Sequence, residues 1–151
     1  MVEAGDKSLD FSLKDQNGSA FNLSEQTGRL VLLSFHPLAW TPVCTRQMKS
    51  LEENKKILDS LNTIAIGISV DSVPCKKAWA ENLEIKDTRL LADFWPHGGV
   101  AQQYGVFRDK VGTSERANIL IDQKGTVAFV KVYEIRQLPD MNEIIDKIKK
   151  L

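Results

Sequence analysis

The sequence has little cysteine, no excess of either charge and no long apolar run. Only two cysteines occur in 151 residues, too few to staple a secreted disulfide scaffold. The two thiols are therefore either inert core residues or a redox pair. Twenty Lys and Arg against twenty Asp and Glu leave a formal net charge of +0, which argues against a surface built to neutralise phosphates or anionic lipid. Nucleic acid is not expected as a partner. The least polar stretch, Leu30 to Thr45, is interrupted by His36, Pro37 and Pro42. A spanning helix needs about 17–25 predominantly apolar residues, so no membrane association is predicted. The first ten residues, MVEAGDKSLD, carry no apolar signal core and no small-residue cleavage site, and a cytoplasmic location is the expectation. Neither G-x-x-x-x-G-K-[ST] nor G-x-G-x-x-G occurs, which removes the common nucleotide-binding readings. Cys44, Cys75, His36 and His97 share none of the short paired spacings of zinc sites. No cofactor and no metal are expected.

What is present is an ordinary globular composition, 42% hydrophobic and 26% charged, in a length that fits one domain spanning residues 1–151 and able to bury roughly 70% of its unfolded surface. No linker or repeat divides it. Phe11 and Leu13, then Phe21 and Leu23, alternate around Asp15-Gln16-Asn17-Gly18, predicting a hairpin. Leu30–Phe35 and Thr63–Val70 read as strands covered on both faces. Met48, Leu51, Leu58 and Leu61 predict a helix running to about Leu61. Asp71-Ser72-Val73-Pro74 signals the start of another, carrying Cys75 and Trp79. Leu90-Leu91 is a short strand candidate, followed by a short helix through Tyr104. Asn118–Asp122 and Thr126–Val132 read as paired strands, and Met141, Ile144, Ile145, Ile148 and Leu151 form the stripe of a last helix. This order, β-α-β and later α-β-β-α, is the thioredoxin-like α/β arrangement. The N-terminal β-hairpin is an extension to it, and the segment from about Trp79 to Tyr104 an insertion in its central part.

Cys44 carries the strongest chemical signal. It lies where a strand-to-helix loop ends, near a helix start whose amide N–H groups lack intrahelical partners. Such a position favours a thiolate over a thiol. A small buried hydrophobe is the alternative reading, since most free cysteines are that. The neighbours weigh against it. Pro37, Thr41 and Cys44 stand as P-x-x-x-T-x-x-C, and the proline-rich loop can hold the Thr41 hydroxyl and exposed amides toward one pocket. Such a pocket suits attack of a thiolate on one oxygen of a peroxide while charge builds on the departing oxygen.

With that motif, and with Arg116 opening the strand-like Arg116-Ala117-Asn118-Ile119-Leu120-Ile121, the chain resembles the peroxiredoxins of the alkyl hydroperoxide reductase/thiol-specific antioxidant family. Leu91-Ala92-Asp93-Phe94-Trp95-Pro96-His97-Gly98-Gly99 and Tyr104-Gly105-Val106-Phe107 are similar to the bacterial AhpE-type subgroup. The resemblance implies that Cys44 is the peroxidatic cysteine, oxidised to a sulfenic acid. It further implies that Thr41 hydrogen-bonds the peroxide, Pro37 shields the sulfur from water, and Arg116 holds the thiolate and polarises the peroxide oxygens. A guanidinium has donors enough for both partners; read alone, Arg116 could equally form a surface ion pair with Glu115. One departure stands out. Many family members carry an acid three positions after the cysteine, and here the residue is Gln47.

Cys75 is too far from Cys44 in sequence for a C-x-x-C pair. It opens the next helix on the same sheet edge, so a sulfenic acid on Cys44 could condense with it to a disulfide, provided the Cα atoms come within about 7 Å. A bystander thiol is the alternative. His36 reads as a packing and hydrogen-bonding residue, and His97 as a structural cap or interface residue. Trp40, Trp79 and Trp95 read as core or interface, with Trp40 the one to shape an entrance. The expected function is a thiol peroxidase for hydrogen peroxide and organic hydroperoxides. A thioredoxin-like or glutaredoxin-like reductant or a small thiol would recycle it. The resemblance implies a homodimer or larger homo-oligomer. A one-cysteine peroxidase, a redox-sensing interaction protein and a catalytically silent binding module are the alternatives.

Overall fold

A computed structural model describes all residues from Met1 to Leu151. Its centre is a five-stranded mixed sheet. β3 (Leu30–Phe35) pairs in parallel with β4 (Thr63–Ser69), which pairs in parallel with β5 (Arg89–Ala92). On its other side β3 pairs antiparallel with β8 (Arg116–Ile121), and β8 with β9 (Val127–Tyr133). The hairpin of β1 (Ser12–Lys14) and β2 (Ala20–Asn22) lies outside this sheet, as the alternation of Phe and Leu predicted.

Every residue of β3 and of β8 is buried, because both faces of the sheet are covered. Side chains alternate across a strand, and two cores result. Val31, Leu33 and Phe35 pack with Phe21, Ile66, Ile68, Ile119 and Tyr104 on one face. Leu30 and Leu32 pack with Cys44, Met48, Leu51, Trp79, Leu120 and Ile144 on the other. Truncating such a leucine to alanine costs about 2–5 kcal/mol.

The helices follow the sequence signals with two corrections. The helix expected to run to Leu61 is broken: α1 covers Pro42–Glu53 and α2 covers Lys55–Ser60. Asn54 stands at the break, and both its backbone N–H and its side-chain amide donate to the Ser50 carbonyl. A short polar side chain competing for backbone acceptors weakens a helix at that point. The last helix, α5 (Met141–Lys149), buries Met141, Ile144, Ile145 and Ile148. Leu151, counted in the same stripe, lies past its end and is exposed, because the helix closes at Lys150 before the fifth stripe position is reached.

α3 (Val73–Leu83) begins where Asp71-Ser72-Val73-Pro74 predicted. The Ser72 hydroxyl accepts the Cys75 N–H at 3.3 Å, a cap worth about 1 kcal/mol. Trp79 sits in the middle of α3 and is fully buried, so the inserted segment starts after this helix rather than at Trp79. It contains β5 and α4 (Gly99–Tyr104), whose first turn is held by the Asp93 carboxylate accepting from Val100 and Ala101 N–H, each at 3.0 Å. A small ribbon of β6 (Phe107–Arg108) and β7 (Thr113–Ser114) follows. Two-residue strands leave no periodicity to read, so neither was expected. No helix is long and apolar enough to cross a membrane.

Candidate active site

The register of the sheet brings the site together. Phe35 of β3 faces Ala117 of β8, so Arg116, the first residue of β8, lies level with the point where the chain leaves β3 into the loop His36–Thr41. α1 starts at the end of that loop. Thr41 is its N-cap with extended backbone angles, and Pro42 occupies the first turn, where its missing N–H costs nothing. The first helical hydrogen bond runs from Thr45 N–H to the Thr41 carbonyl at 2.9 Å. The Val43 and Cys44 amides therefore fall among the helix-start donors without intrahelical partners.

Cys44, in this first turn, is completely buried. Arg116, 2% exposed, points its guanidinium at it. Nη1 donates to Cys44 Sγ at 3.3 Å and to Gln47 Oε1 at 2.8 Å, while Nε and Nη2 both donate to the Ile135 carbonyl, at 3.0 and 2.7 Å. The surface ion pair with Glu115 is thereby overturned. Glu115, in the link between the ribbon and β8, faces Arg108 instead, at 3.7 Å. No carboxylate contacts the buried guanidinium, so a negative sulfur is the group in contact able to neutralise it.

Gln47, three residues after Cys44, is fully engaged. Its Nε2 donates to Ser34 Oγ at 2.8 Å and to the Phe35 carbonyl at 3.2 Å, while its Oε1 receives Arg116. The amide thus fixes the guanidinium without competing with the sulfur for its charge.

The loop residues fall as follows. Pro37 is buried. The Thr41 hydroxyl donates to the Leu38 carbonyl at 2.7 Å, bracing the loop and leaving its oxygen lone pairs to accept. Trp40 is half-exposed and holds a φ of +72°, a left-handed conformation that a bulky side chain adopts only under constraint. That constraint is Asp71, whose Oδ2 accepts the Ala39 N–H at 2.9 Å and the Ser69 hydroxyl at 2.6 Å.

Asp71 also reaches the second thiol. Cys75, half-buried, directs its Sγ toward Asp71 Oδ1 at 3.7 Å. Burial first, and then the Asp71 charge, push the Cys75 thiol above its ordinary pKa. Both cysteines are free.

Behind the sulfur lies a pair that sequence reading did not connect. Lys76 and His36 are both fully buried. Lys76 Nζ lies 2.7 Å from His36 Nε2, and His36 Nδ1 lies 3.3 Å from the Ser34 carbonyl. This geometry fits a neutral imidazole that donates to Ser34 and accepts from lysine. Burial, and then the Lys76 charge, hold His36 well below the usual imidazole range. Burial pushes Lys76 down to about 7, against the opposing pull of Asp71, Cys44 and Cys75. His36 matches its reading as a hydrogen-bonding residue. Lys76 was passed over, although its place three residues before the buried Trp79 puts it on the inward face of α3. His97 has a structural role, its Nε2 lying 2.6 Å from the Gly112 carbonyl. Trp95 is largely exposed.

Comparison with known proteins is consistent in every direction. Residues 4–130 match the model of the AhpC/TSA family. Alkyl hydroperoxide reductase E of Mycobacterium tuberculosis is 33% identical over 152 residues, covering 100% of this chain and 99% of the relative. Peroxiredoxin Bcp of Escherichia coli is 35% identical over 135 residues, 85% of each chain. Among solved structures, peroxidoxin BcpB from Mycobacterium tuberculosis superposes with a TM-score of 0.88 at 28% identity, covering 100% of this chain and 99% of the other. Enterococcus faecalis AhpC, at 23% identity and a TM-score of 0.90 over 99% of this chain and 92% of that one, shares the fold.

Proposed function

The chain belongs to the AhpC/TSA family and is a peroxiredoxin, a peroxidase of the oxidoreductase class, and from that premise we propose that Cys44 is the sulfur that reduces the peroxide. The single observation that carries the assignment is the Arg116 guanidinium donating to Cys44 Sγ at 3.3 Å in a buried pocket without a competing carboxylate. A charged donor in a water-poor site stabilises developing negative charge far better than it would in bulk water.

In the first step the Cys44 thiolate attacks one oxygen of hydrogen peroxide or an organic hydroperoxide. An S–O bond forms, the O–O bond breaks, the sulfur gives up two electrons, and the departing oxygen takes a proton to leave as water or alcohol. Arg116 and the helix-start amides hold charge on sulfur and oxygen. The Thr41 hydroxyl, its proton given to the Leu38 carbonyl, offers an acceptor to the peroxide, and Pro37 keeps water from the sulfur. Cys44 is left as a sulfenic acid.

In the second step Cys75 condenses with that sulfenic acid. Its thiol proton passes by way of the Asp71 carboxylate to the sulfenic oxygen, which leaves as water as the S–S bond forms. A thioredoxin-like or glutaredoxin-like dithiol, or a small thiol, then returns both sulfurs to the reduced state. The first turn of α1 has to open for the sulfurs to meet, since disulfide geometry demands close Cα atoms. Two free thiols fit a reducing, cytoplasmic setting, and the enzyme works as a homodimer or larger homo-oligomer.

One observation favours a second reading, in which Cys44 works with an external thiol and Cys75 stands by: the Cys75 thiol is held protonated by burial and Asp71, and a thiol is a poor nucleophile. Intact-mass analysis after one equivalent of peroxide tests both. Loss of two hydrogens supports the Cys44–Cys75 disulfide. Gain of one oxygen supports the one-cysteine route. An unchanged mass defeats the peroxidase assignment.

A further inference from the structure

The pocket holds two buried cationic side chains around one sulfur, and only one of them touches it. Arg116 is always charged. Lys76 is not obliged to be, and its surroundings decide. From β3 it is faced by His36, whose Nε2 lies 2.7 Å away. From its own helix it meets the Trp79 ring, with Nζ 5.3 Å from the centroid. From the turn before that helix comes the Asp71 charge, from the helix itself the Cys75 thiol, and from α1 the Cys44 sulfur. Arg116 of β8 acts on the same pair by opposing a charge on His36. Asp71, the one carboxylate among these groups, is engaged by Ala39 N–H, the Ser69 hydroxyl and the Cys75 thiol.

Hydrogen bonds lead from the amine to the Ser34 backbone carbonyl and from the Ser34 side chain to the reacting atom, so the two arms meet at one residue. Lys76 Nζ meets His36 Nε2 at 2.7 Å, and His36 Nδ1 meets the Ser34 carbonyl at 3.3 Å. Ser34 Oγ accepts from Gln47 Nε2 at 2.8 Å, and Gln47 Oε1 accepts from Arg116 Nη1 at 2.8 Å. That same nitrogen donates to Cys44 Sγ at 3.3 Å. The Trp79 indole N–H donates to the Thr45 hydroxyl at 3.4 Å, which ties α3 to α1 one residue beyond Cys44.

We propose that Lys76, held by His36, is a positioning residue whose proton is coupled to the charge on Cys44, an ammonium while the sulfur is a thiolate and an amine once oxidation has removed that charge. The inference rests on the reading of Cys44 as the reacting sulfur. During the first step the sulfur loses its negative charge to the departing alkoxide or hydroxide. Lys76 then releases one proton, equal to the one that the departing oxygen takes up. The buried pocket passes from thiolate plus ammonium to sulfenic acid plus amine with no change in its net charge, and so avoids stranding an uncompensated charge. A second unpaired cation beside Arg116 would otherwise remain after every turnover.

Coupling of this kind is reciprocal: whatever Cys44 does to the proton affinity of Lys76, Lys76 does equally to that of Cys44. The test uses both directions. The Lys76 amine, assigned through its own backbone in protein carrying labelled lysine side chains, is titrated by NMR in the wild type and in Cys44→Ser, which removes the sulfur charge. Its midpoint is expected to be far below that of an ordinary lysine in the wild type and to fall by roughly one further pH unit or more in Cys44→Ser, a tenfold loss of proton affinity. Thiolate absorbance of Cys44 is then titrated in Cys75→Ser and in Cys75→Ser with Lys76→Met, where the midpoint is expected to rise by the same amount. An ordinary lysine midpoint, or one that Cys44→Ser leaves unmoved, overturns the proposal. If Lys76→Met fails to fold, the Cys44→Ser arm decides alone, because it leaves the Lys76–His36 pair intact. Neither measurement uses peroxide turnover. A wild type that ignores peroxide would sink the peroxidase reading without touching this coupling.

Discussion

Arg116 Nη1 lies 3.3 Å from Cys44 Sγ across 72 residues of sequence. The contact exists because β8 runs antiparallel to β3, placing the first residue of one strand beside the exit of the other. The remaining guanidinium nitrogens are spent on the Ile135 carbonyl, so the group has one orientation and cannot swing away from the sulfur without losing both bonds.

Removing the sulfur, or the fork that faces it, should end catalysis at different levels. Cys44→Ser is expected to abolish peroxide consumption. Arg116→Lys keeps a charge but cannot hold Ile135 and the sulfur together, and the second-order rate of Cys44 oxidation should fall by about 100-fold or more. Stopped-flow fluorescence with stoichiometric peroxide measures both. An Arg116→Lys rate within a few fold of wild type would refute the role given to the guanidinium.

Gln47 gives the opposite kind of test, since it adds a charge rather than removing one. Gln47→Glu would place a carboxylate on Arg116 Nη1, where it shares the cation with the sulfur and repels a thiolate. The thiolate absorbance of Cys44 is expected to titrate at higher pH than in the wild type, with slower oxidation near neutrality. A midpoint that stays or falls would show that the neutral amide is not what leaves the guanidinium to the sulfur.

Cys75 is separable from the first step. Cys75→Ser should oxidise at Cys44 as fast as the wild type but gain an oxygen instead of losing two hydrogens. Asp71→Asn should let Cys75 ionise at lower pH, because the charge that opposes its thiolate is gone, and should also loosen the Trp40 loop that Asp71 ties through Ala39. Mass analysis of quenched time points separates the two steps.

Stability should depend on pH through the same buried pair. His36 titrates below the ordinary imidazole value in the fold, from burial first and Lys76 second. Lys76 falls from 10.5 to about 7, from burial. For both, the unfolded chain binds more protons than the fold does, so stability rises with pH. His36 contributes that rise below about 6.5, its ordinary value, and Lys76 between about 7 and 10.5. Higher still, Tyr104, raised to about 12, and Tyr133, also raised, act in the other sense. The urea midpoint should climb from about pH 5.5 to about pH 9, and more shallowly on the acid side in His36→Phe. A flat or falling profile over that span would contradict the lowered proton affinity of the buried pair.

Glu52 offers a control remote from the chemistry. Its carboxylate receives the Lys86, Asp87 and Thr88 N–H groups and the Thr88 hydroxyl, at 2.7 to 3.1 Å, clamping the end of α1 to the entry of β5. Glu52→Ala should lower unfolding free energy by about 1–2 kcal/mol, measured by urea titration, while the rate of Cys44 oxidation stays near wild type.

The elements of this fold were legible because they leave local marks. Continuous apolar runs announce β3 and β4, Ser72 and Pro74 announce α3, and P-x-x-x-T-x-x-C singles out Cys44 with its loop. The family resemblance singled out Arg116 and implied that it holds the sulfur, where the residue read alone suggested a surface pair with Glu115. What escaped had no local mark or depended on competition between near neighbours: the break at Asn54, the two-residue strands β6 and β7, and the end of α5 before Leu151. The electrostatics escaped for a different reason. The sequence by itself determined which side chains can carry charge, but whether a cation is buried, and beside what, depends on residues far apart in the chain. Only the tertiary structure decided that Gln47 would hold Arg116 on the sulfur, that Asp71 would face Cys75, and that Lys76 would be sealed against His36. Desolvation and Coulomb energy act through space and depend on packing, and neither is written in the order of the residues.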